Sequence, residues 1–215
     1  MGDVRTMKNR ISSPGDRSLR VVGNNGDGRG TDRRLDPAEV GRRMVPVPHP
    51  MPTIRTTHLE MTDPSRLRGR ANPDPRLRVL EATVPEGRLN RFLYTLVGAD
   101  WSWRDKLVWS DDEWRAYAED ERLRTFVAYF DGTPAGYYEL LRAGDETQIA
   151  YFGLVPRFIG RGFGGALLTH ALGTAWSAGT KRVWVHTCTR DHPAALANYL
   201  ARGMTVFCVE DHESP

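Results

Sequence analysis

The sequence is poor in cysteine and lysine and contains no long apolar run. Only Cys188 and Cys208 occur among its 215 residues, which is too few for the disulfide framework of a small secreted domain. No apolar stretch approaches the roughly 20 residues that a membrane-spanning helix needs. Residues 1–11 also lack the apolar segment of a secretory signal. We therefore expect a cytoplasmic protein without a membrane partner.

Lysine is confined to Lys8, Lys106 and Lys181, so arginine supplies nearly all of the 30 basic residues behind the net charge of +3. The positive excess lies in the first 75 residues, whereas the remainder of the chain is slightly acidic. A basic segment can bind nucleic acid. Because the excess is almost entirely arginine, we interpret it as a composition bias and predict no nucleic-acid partner.

Composition divides the chain into three parts. Residues 1–50 are rich in glycine, proline, arginine, aspartate and asparagine. Such a segment cannot bury enough apolar surface to fold, and we predict a disordered N-terminal extension. Residues 51–75 are predicted to be a linker or an edge strand, and residues 76–215 are predicted to form one folded domain.

Hydrophobic periodicity indicates an α/β protein. Alternating apolar residues predict strands, and apolar residues at helical spacing predict helices. The predicted strands are 56–61, 77–84, 124–130, 134–141, 148–155, 182–188 and 204–209. The predicted helices are 88–97, one that begins after Ser110, 163–178 and one that begins at Pro193. A strand–helix–strand crossover joins 148–155 to 182–188, so these two strands are expected to be parallel neighbours.

The most informative segment is a glycine-dense turn between strand 148–155 and helix 163–178. Glycine permits tight turns, and the free N–H groups of a helix start favour a phosphate. A P-loop is excluded because Ala166 follows the last glycine where that motif has lysine. Gly160, Gly162 and Gly165 match the dinucleotide fingerprint, but the next strand carries no acidic residue for a ribose. A nicotinamide-dependent oxidoreductase is therefore the weaker alternative.

Arg157, Gly160 and Gly162 also match the acyl-CoA signature R/Q-x-x-G-x-G/A. A strand ending in Val155-Pro156 precedes this motif, and a helix containing Tyr199 is followed by a glycine and a strand. With these three features in this order, the sequence resembles the GCN5-related N-acetyltransferase (GNAT) superfamily over roughly residues 77–209.

The resemblance implies a mixed α/β (α+β) fold. Its central sheet would be mostly antiparallel, with flanking helices and one parallel, splayed strand pair that holds the acyl-CoA. The superfamily usually has one more strand after the last strand predicted here. Either a strand near residues 53–61 or a second copy of the chain in a homodimer would cover that edge of the sheet.

The resemblance also implies a function. We expect an acetyl-CoA-dependent N-acetyltransferase that uses acetyl-CoA as cosubstrate and a small-molecule or peptide amine as acceptor. The amine would attack the thioester directly in a ternary complex. The alternative is an acyl-CoA-binding sensor that keeps the fold without turnover.

Site residues follow from the same resemblance. The acyl-CoA would be bound by Leu154, Val155, Arg157, Ile159, Gly160, Arg161, Gly162, Phe163, Gly164 and Asn198. The N–H of Val155 would polarise the thioester carbonyl, and Tyr199 would act as the general acid toward the leaving thiolate.

Two features of the site stay open at this level. Glu139, His186, Asp191, His192 or an ordered water could serve as the general base. The tryptophans of residues 101–114 could either wall the acceptor pocket or pack helices. No cluster of histidine and cysteine has metal-ligand spacing, so we expect no metal.

Overall fold

A computed structural model describes residues 53–101 and 103–213. The predicted N-terminal extension 1–50 lies outside the described residues. The strands are β1 (Thr53–Met61), β2 (Leu77–Glu81), β3 (Leu123–Phe130), β4 (Thr133–Ala143), β5 (Glu146–Leu154), β6 (Arg182–Cys188) and β7 (Thr205–Glu213). The helices are α1 (Gly87–Gly98), α2 (Asp111–Ala118), α3 (Phe163–Ser177) and α4 (Ala195–Ala201).

The seven strands form one sheet in the order β2-β3-β4-β5-β6-β1-β7. Every neighbouring pair is antiparallel except β5 and β6. The parallel pairing is confined to residues 146–148 of β5 and 182–184 of β6. Beyond these residues the two strands separate, which confirms the predicted mixed sheet with a splayed parallel pair.

Strand β1 lies between β6 and β7, where His58 is opposite His186 on one side and Cys208 on the other. It is therefore an interior strand, and the prediction of an edge strand in residues 51–75 is wrong in this respect. Its two sides pair with β6 and β7, and its residues Leu59 and Met61 are 0% and 2% exposed and belong to the core. Strand β1 thus supplies the strand that the sheet would otherwise lack, and β7 becomes the edge.

The sheet separates two apolar layers. On one face, Leu167, Leu168 and Leu172 of α3 pack in one cluster with Val183 and Val185 of β6. On the other face, a smaller cluster joins α1 to β3 and β4. Neighbouring residues of a strand point to opposite faces, so each strand contributes side chains to both layers.

Helix α2 begins with a capping box. The Ser110 hydroxyl accepts a hydrogen bond from the Glu113 N–H at 3.3 Å, and the Glu113 carboxylate accepts one from the Ser110 N–H at 2.7 Å. The helix carries Trp114, which is 2% exposed, and Tyr117 on the same side of the sheet. The capping box therefore fixes the first turn of α2, the helix that carries Trp114 and Tyr117 on the α1 side of the sheet.

Replacing Ser110 by alanine is expected to lower the free energy of unfolding by about 1 kcal/mol, the usual value of an N-cap side chain. Urea unfolding followed by tryptophan fluorescence measures the change. Ser177→Ala is the matched control. This exposed serine is the last residue of α3, and its hydroxyl donates to the Gly173 carbonyl of the same helix, so it caps no helix N-terminus. Equal losses in the two variants would contradict a specific role for the cap.

The segment that follows β1 packs against the end of α4. Gly203 has φ +97°, and a Cβ there would collide with the Arg66 carbonyl oxygen, so only glycine fits. The Arg68 N–H donates to the Arg202 carbonyl at 3.0 Å, and the Arg70 N–H donates to the Thr169 hydroxyl at 2.9 Å. These contacts place Arg70 against the first turns of α3.

None of the helices in the described part of the chain is both long and apolar enough to cross a bilayer.

Candidate active site

A cavity of about 910 Å³ occupies the gap between the separated ends of β5 and β6. On the side of α3 and α4 it is lined by Leu154, Gly162, Gly164, Asn198 and Tyr199. On the side of α1 and α2 it is lined by Trp101, Trp103, Asp105, Lys106, Tyr151 and His186. A single cavity therefore reaches both faces of the sheet.

The start of α3 presents a row of free main-chain donors to this cavity. Gly160 and Gly162 have φ +83° and +81°, in the left-handed region that favours glycine. The N–H groups of residues 160–165 donate no hydrogen bond to another described residue. Because they lie at the positive end of the helix dipole, this helix start has the chemistry of an anion site, and we refer to it as the anion site.

Ile159 is a partial exception to the predicted row. Its N–H donates to the Pro156 carbonyl at 3.1 Å and is not free for a phosphate, although the residue lines the cavity. Phe163 contributes at most its N–H, since its side chain is 2% exposed and belongs to the core. Gly165, absent from the predicted binding residues, lines the cavity instead.

The two arginines predicted from the motif lie outside the cavity. Arg157 is exposed in the 3-10 turn Pro156–Phe158, and Arg161 is exposed with its guanidinium 4.4 Å from the centre of the Phe130 ring. Neither residue lines the cavity, so the prediction that they bind the acyl-CoA stays a prediction. The turn directs Arg157 to the surface, and the aromatic ring holds Arg161.

Arg70 and Arg202 lie over the helix start in their place. A Cβ added to Gly165 would lie 2.9 Å from Nη1 of Arg202 and 2.7 Å from Cδ of Arg70. The Nε and Nη1 atoms of Arg202 are buried and have no hydrogen-bond partner among the described residues. Burial, and then the charge of Arg70, lowers the pKa of Arg202.

Two neighbouring guanidinium groups beside free helix amides are suited to a ligand with several negative charges. The diphosphate of an acyl-CoA has this chemistry, so the residues fit the ligand that the sequence predicts. Sequence reasoning missed both arginines. Arg70 lies in the segment predicted as linker or edge strand, and Arg202 follows the tyrosine helix without a motif of its own.

Strand β5 carries a second correction. The Val155 N–H donates to the Ala135 carbonyl of the neighbouring chain segment at 2.9 Å. It points away from the gap, so the predicted role of Val155 in polarising the thioester is wrong. Since the main-chain groups of a strand alternate between its two neighbours, the N–H of Leu154 is directed into the gap.

Tyr199 and Asn198 lie on α4 at the wall of the cavity. Tyr199 is 5% exposed, its ring centre is 6.0 Å from that of Phe152, and its hydroxyl has no hydrogen-bond partner among the described residues. Burial, and then the charge of Asp191, raises its pKa above the ordinary value of 10. Asn198 donates to the Gly164 carbonyl at 3.3 Å and so connects α4 to the start of α3.

Glu139, one of the four candidate bases, lies outside the cavity. It is 1% exposed, and its two carboxylate oxygens accept hydrogen bonds from Asn90 at 2.8 Å and Tyr117 at 2.5 Å. Burial raises its pKa, although the hydrogen bonds of Tyr117 and Asn90 and the charge of Lys106 oppose the increase. Glu139 therefore supports the smaller apolar layer and does not contact the gap.

Asp191 and His192 line the cavity but are held by the loop after β6. One oxygen of Asp191 accepts hydrogen bonds from the Thr187 hydroxyl at 2.7 Å and the Cys188 N–H at 2.9 Å. Nδ1 of His192 accepts the Ala194 N–H at 3.0 Å. These bonds shape the turn between β6 and α4, and they leave Oδ1 of Asp191 and Nε2 of His192 without a hydrogen-bond partner among the described residues.

His186 has the features of a base. It projects from β6 to the face opposite the buried Val185, lines the cavity, and makes no hydrogen bond to a described residue. The residue is exposed at the cavity wall, but desolvation by the surrounding atoms, and then the charge of His58, whose ring centre is 5.8 Å away, lowers its pKa below the ordinary value of 6.5, although Asp191 and Asp105 oppose the change. A neutral imidazole with an available nitrogen therefore faces the gap at neutral pH.

The tryptophans divide between the two roles considered above. Trp101 and Trp103 line the cavity, and Trp103 packs on Tyr151 with ring centres 5.1 Å apart. Trp114 is buried and Trp109 packs against it at 5.2 Å. Among the described residues, no group of three or more histidine, cysteine, aspartate or glutamate side chains could hold a metal ion.

Comparison of the fold with solved structures shows several similar proteins of low identity. A GCN5-related N-acetyltransferase from Sphaerobacter thermophilus is 16% identical, with TM-score 0.55 over 77% of this chain and 52% of that protein. A GCN5-related N-acetyltransferase from Kribbella flavida is 17% identical, with TM-score 0.52 over 72% of this chain and 55% of that protein. The chain thus spans about half the length of these relatives, and the likeness shows the fold.

Comparison with proteins of curated function gives no match. The family model of the acetyltransferase (GNAT) family, in contrast, matches residues 90–204. This range covers more than half of the chain and contains the glycine turn, the splayed strand pair and the tyrosine helix. The chain therefore belongs to the GNAT acetyltransferase family.

Proposed function

We propose that this protein transfers an acetyl group from acetyl-CoA to a primary amine by direct attack in a ternary complex. The observation that carries the proposal is the anion site at the start of α3, where free amides meet the buried, unpartnered nitrogens of Arg202. This site lies at the mouth of a gap that reaches both faces of the sheet. A diphosphate held there would place the rest of the acyl-CoA along β5.

The residues around the gap can then be assigned to the steps of acyl transfer. The N–H of Leu154 donates a hydrogen bond to the carbonyl oxygen as negative charge develops on it, a contribution of about 3 kcal/mol for one such donor. His186, on the side of α1 and α2, takes the proton from the attacking amine. Tyr199, on the side of α3 and α4, gives a proton to the leaving sulfur.

The experiment that tests the function has two parts. Isothermal titration calorimetry with acetyl-CoA measures binding, and release of free thiol in the presence of a library of primary amines measures transfer. We expect binding and amine-dependent thiol release. Binding without release for any amine would indicate the acyl-CoA sensor, and absence of binding by well-folded protein would contradict the assignment.

Replacing Tyr199 by phenylalanine is expected to lower kcat about tenfold and to leave the Kd for acetyl-CoA unchanged. The effect is modest because a thiol with pKa about 8.5 leaves without a strong acid. Burial keeps the hydroxyl protonated in the active pH range. Steady-state thiol release measures kcat, and Tyr129→Phe on β3, outside the cavity, is the control. An unchanged kcat would assign Tyr199 to packing alone.

A further inference from the structure

Lys106 occupies an unusual position in the segment between α1 and α2. The residue is 8% exposed, and its Nζ lies 3.6 Å from the ring centres of both Trp109 and Tyr117. A third ring, that of Tyr151, is at 5.5 Å. We call these three rings and Lys106 the lysine cage. Lys106 also lines the cavity on the side of α1 and α2.

The faces of the rings stabilise the charge of Lys106. An ammonium group has three donors, and Nζ of Lys106 makes no hydrogen bond and no ion pair with any described residue. A buried lysine without a partner is rare, because desolvation of the charge is costly. The ammonium group therefore has a donor available for an acceptor atom in the cavity that Lys106 lines.

The surrounding charges restrict which ligand fits. Burial lowers the pKa of Lys106, whereas the carboxylates of Glu139 and Asp105 oppose this change and favour the charged form. Asp105 also lines the cavity and accepts hydrogen bonds from Tyr94 at 2.5 Å and Tyr151 at 3.2 Å. A ligand that carries one negative charge beside one positive charge matches Lys106 and Asp105. The two carboxylates would repel a phosphate dianion more strongly than a singly charged carboxylate whose ligand also carries a positive charge.

We propose that the lysine cage binds the carboxylate of the acceptor, so that the acceptor is a small amino acid-like molecule with an amine and a carboxylate. This inference rests on the proposed acetyl transfer, because the amine must reach His186 and the thioester from the same cavity. The aromatic side chains of Trp101 and Trp103 at the cavity wall favour an apolar body between the two charged ends.

The test compares two probes that differ only in the carboxylate. L-phenylalanine and phenethylamine share the ring and the primary amine, and 3-phenylpropanoate carries the carboxylate without the amine. Thiol release with acetyl-CoA gives kcat/KM for the two amines. Calorimetry with the protein saturated with CoA gives the affinity for 3-phenylpropanoate. Lys106→Met is compared with Lys181→Met, whose side chain is 78% exposed and paired with Asp145 outside the cavity.

We expect wild type to prefer L-phenylalanine over phenethylamine and to bind 3-phenylpropanoate. Lys106→Met should lower kcat/KM for L-phenylalanine and the affinity for 3-phenylpropanoate by about tenfold to fiftyfold, the loss of one charge-assisted hydrogen bond. It should change phenethylamine less than twofold and leave the Kd for acetyl-CoA unchanged. Lys181→Met should change none of these values. If the methionine variant loses acetyl-CoA binding through misfolding, Lys106→Gln takes its place.

Two outcomes would overturn the inference. One is a wild type that shows no preference for the carboxylate in rate or in binding, and the other is an equal loss for both amines in the Lys106 variant. Either outcome leaves the proposed acetyl transfer intact as long as acetyl-CoA binds and some amine releases thiol. Failure of acetyl-CoA to bind wild type would instead remove the proposed function itself.

Discussion

Replacing His186 by glutamine is expected to lower kcat for amine acetylation by about 100-fold to 1,000-fold, the usual contribution of a general base. Glutamine keeps a polar side chain of similar reach on β6 but cannot take a proton from the acceptor. Because His186 lies away from the anion site at the start of α3, the Kd for acetyl-CoA should stay unchanged. Steady-state kinetics and calorimetry on the same preparation measure the two quantities.

The same assignment predicts a pH dependence. Desolvation lowers the pKa of His186 below 6.5, so the imidazole is a neutral base above this pH and is protonated below its pKa. The activity of wild type should therefore fall as the pH decreases through a value below 6.5. In His186→Gln this inflection should be absent.

His212→Gln is the control for both measurements, since this histidine lies on the edge strand β7 with 56% of its side chain exposed and outside the cavity. A loss of kcat in His186→Gln that keeps the low-pH inflection would transfer the role of base to another group. Asp191 would then be the next candidate, because it also lines the cavity.

The fold was predictable where signals are local along the chain. The glycine turn, the crossover from β5 to β6 and the tyrosine helix are consecutive, and the family sequence pattern contains all three. A strand near residues 53–61 was one of the two expected neighbours of the last strand, and β1 does pair with β7, but its insertion between β6 and β7 was not predictable in this way. Its partners β6 and β7 lie more than 120 residues later, for example Met61 opposite Val183, and alternation within β1 does not say which strands it joins.

The position of the site was predictable from the sequence, but the direction of individual main-chain and side-chain groups was predictable only in part. The glycines at 160, 162 and 164 line the cavity as expected. The predicted role of the Val155 N–H was wrong because successive N–H groups of a strand point in opposite directions. The N–H of Val155 therefore points to β4, and that of Leu154, one residue earlier, points into the gap. The side chain of Arg157 lies outside the cavity because the 3-10 turn between the strand and the glycines sets its direction, and the motif does not encode that direction.

Replacing Arg202 by methionine is expected to change ligand binding and protein stability in opposite directions. The Kd for acetyl-CoA should rise about 100-fold, as expected when a ligand loses charge-assisted hydrogen bonds from a guanidinium group. The free protein should have a Tm equal to or higher than that of wild type. Nε and Nη1 of Arg202 are buried without a partner and lie beside the like charge of Arg70, so methionine removes an unfavourable group.

A thermal-shift titration measures both effects in one experiment. Since the stabilisation by a ligand grows as RT ln(1 + [L]/Kd), a 100-fold weaker Kd removes about 2.7 kcal/mol at saturating acetyl-CoA. Arg157→Met is the decisive control, because the acyl-CoA motif assigns the ligand to Arg157 and the structure places that side chain on the surface. If Arg157→Met loses the thermal shift and Arg202→Met keeps it, acetyl-CoA is bound by the arginine of the motif, and the proposed role of Arg202 beside Gly165 is wrong. If the reverse holds, the anion site depends on an arginine that is held over the helix start by the contacts of residues 66–70 with the end of α4.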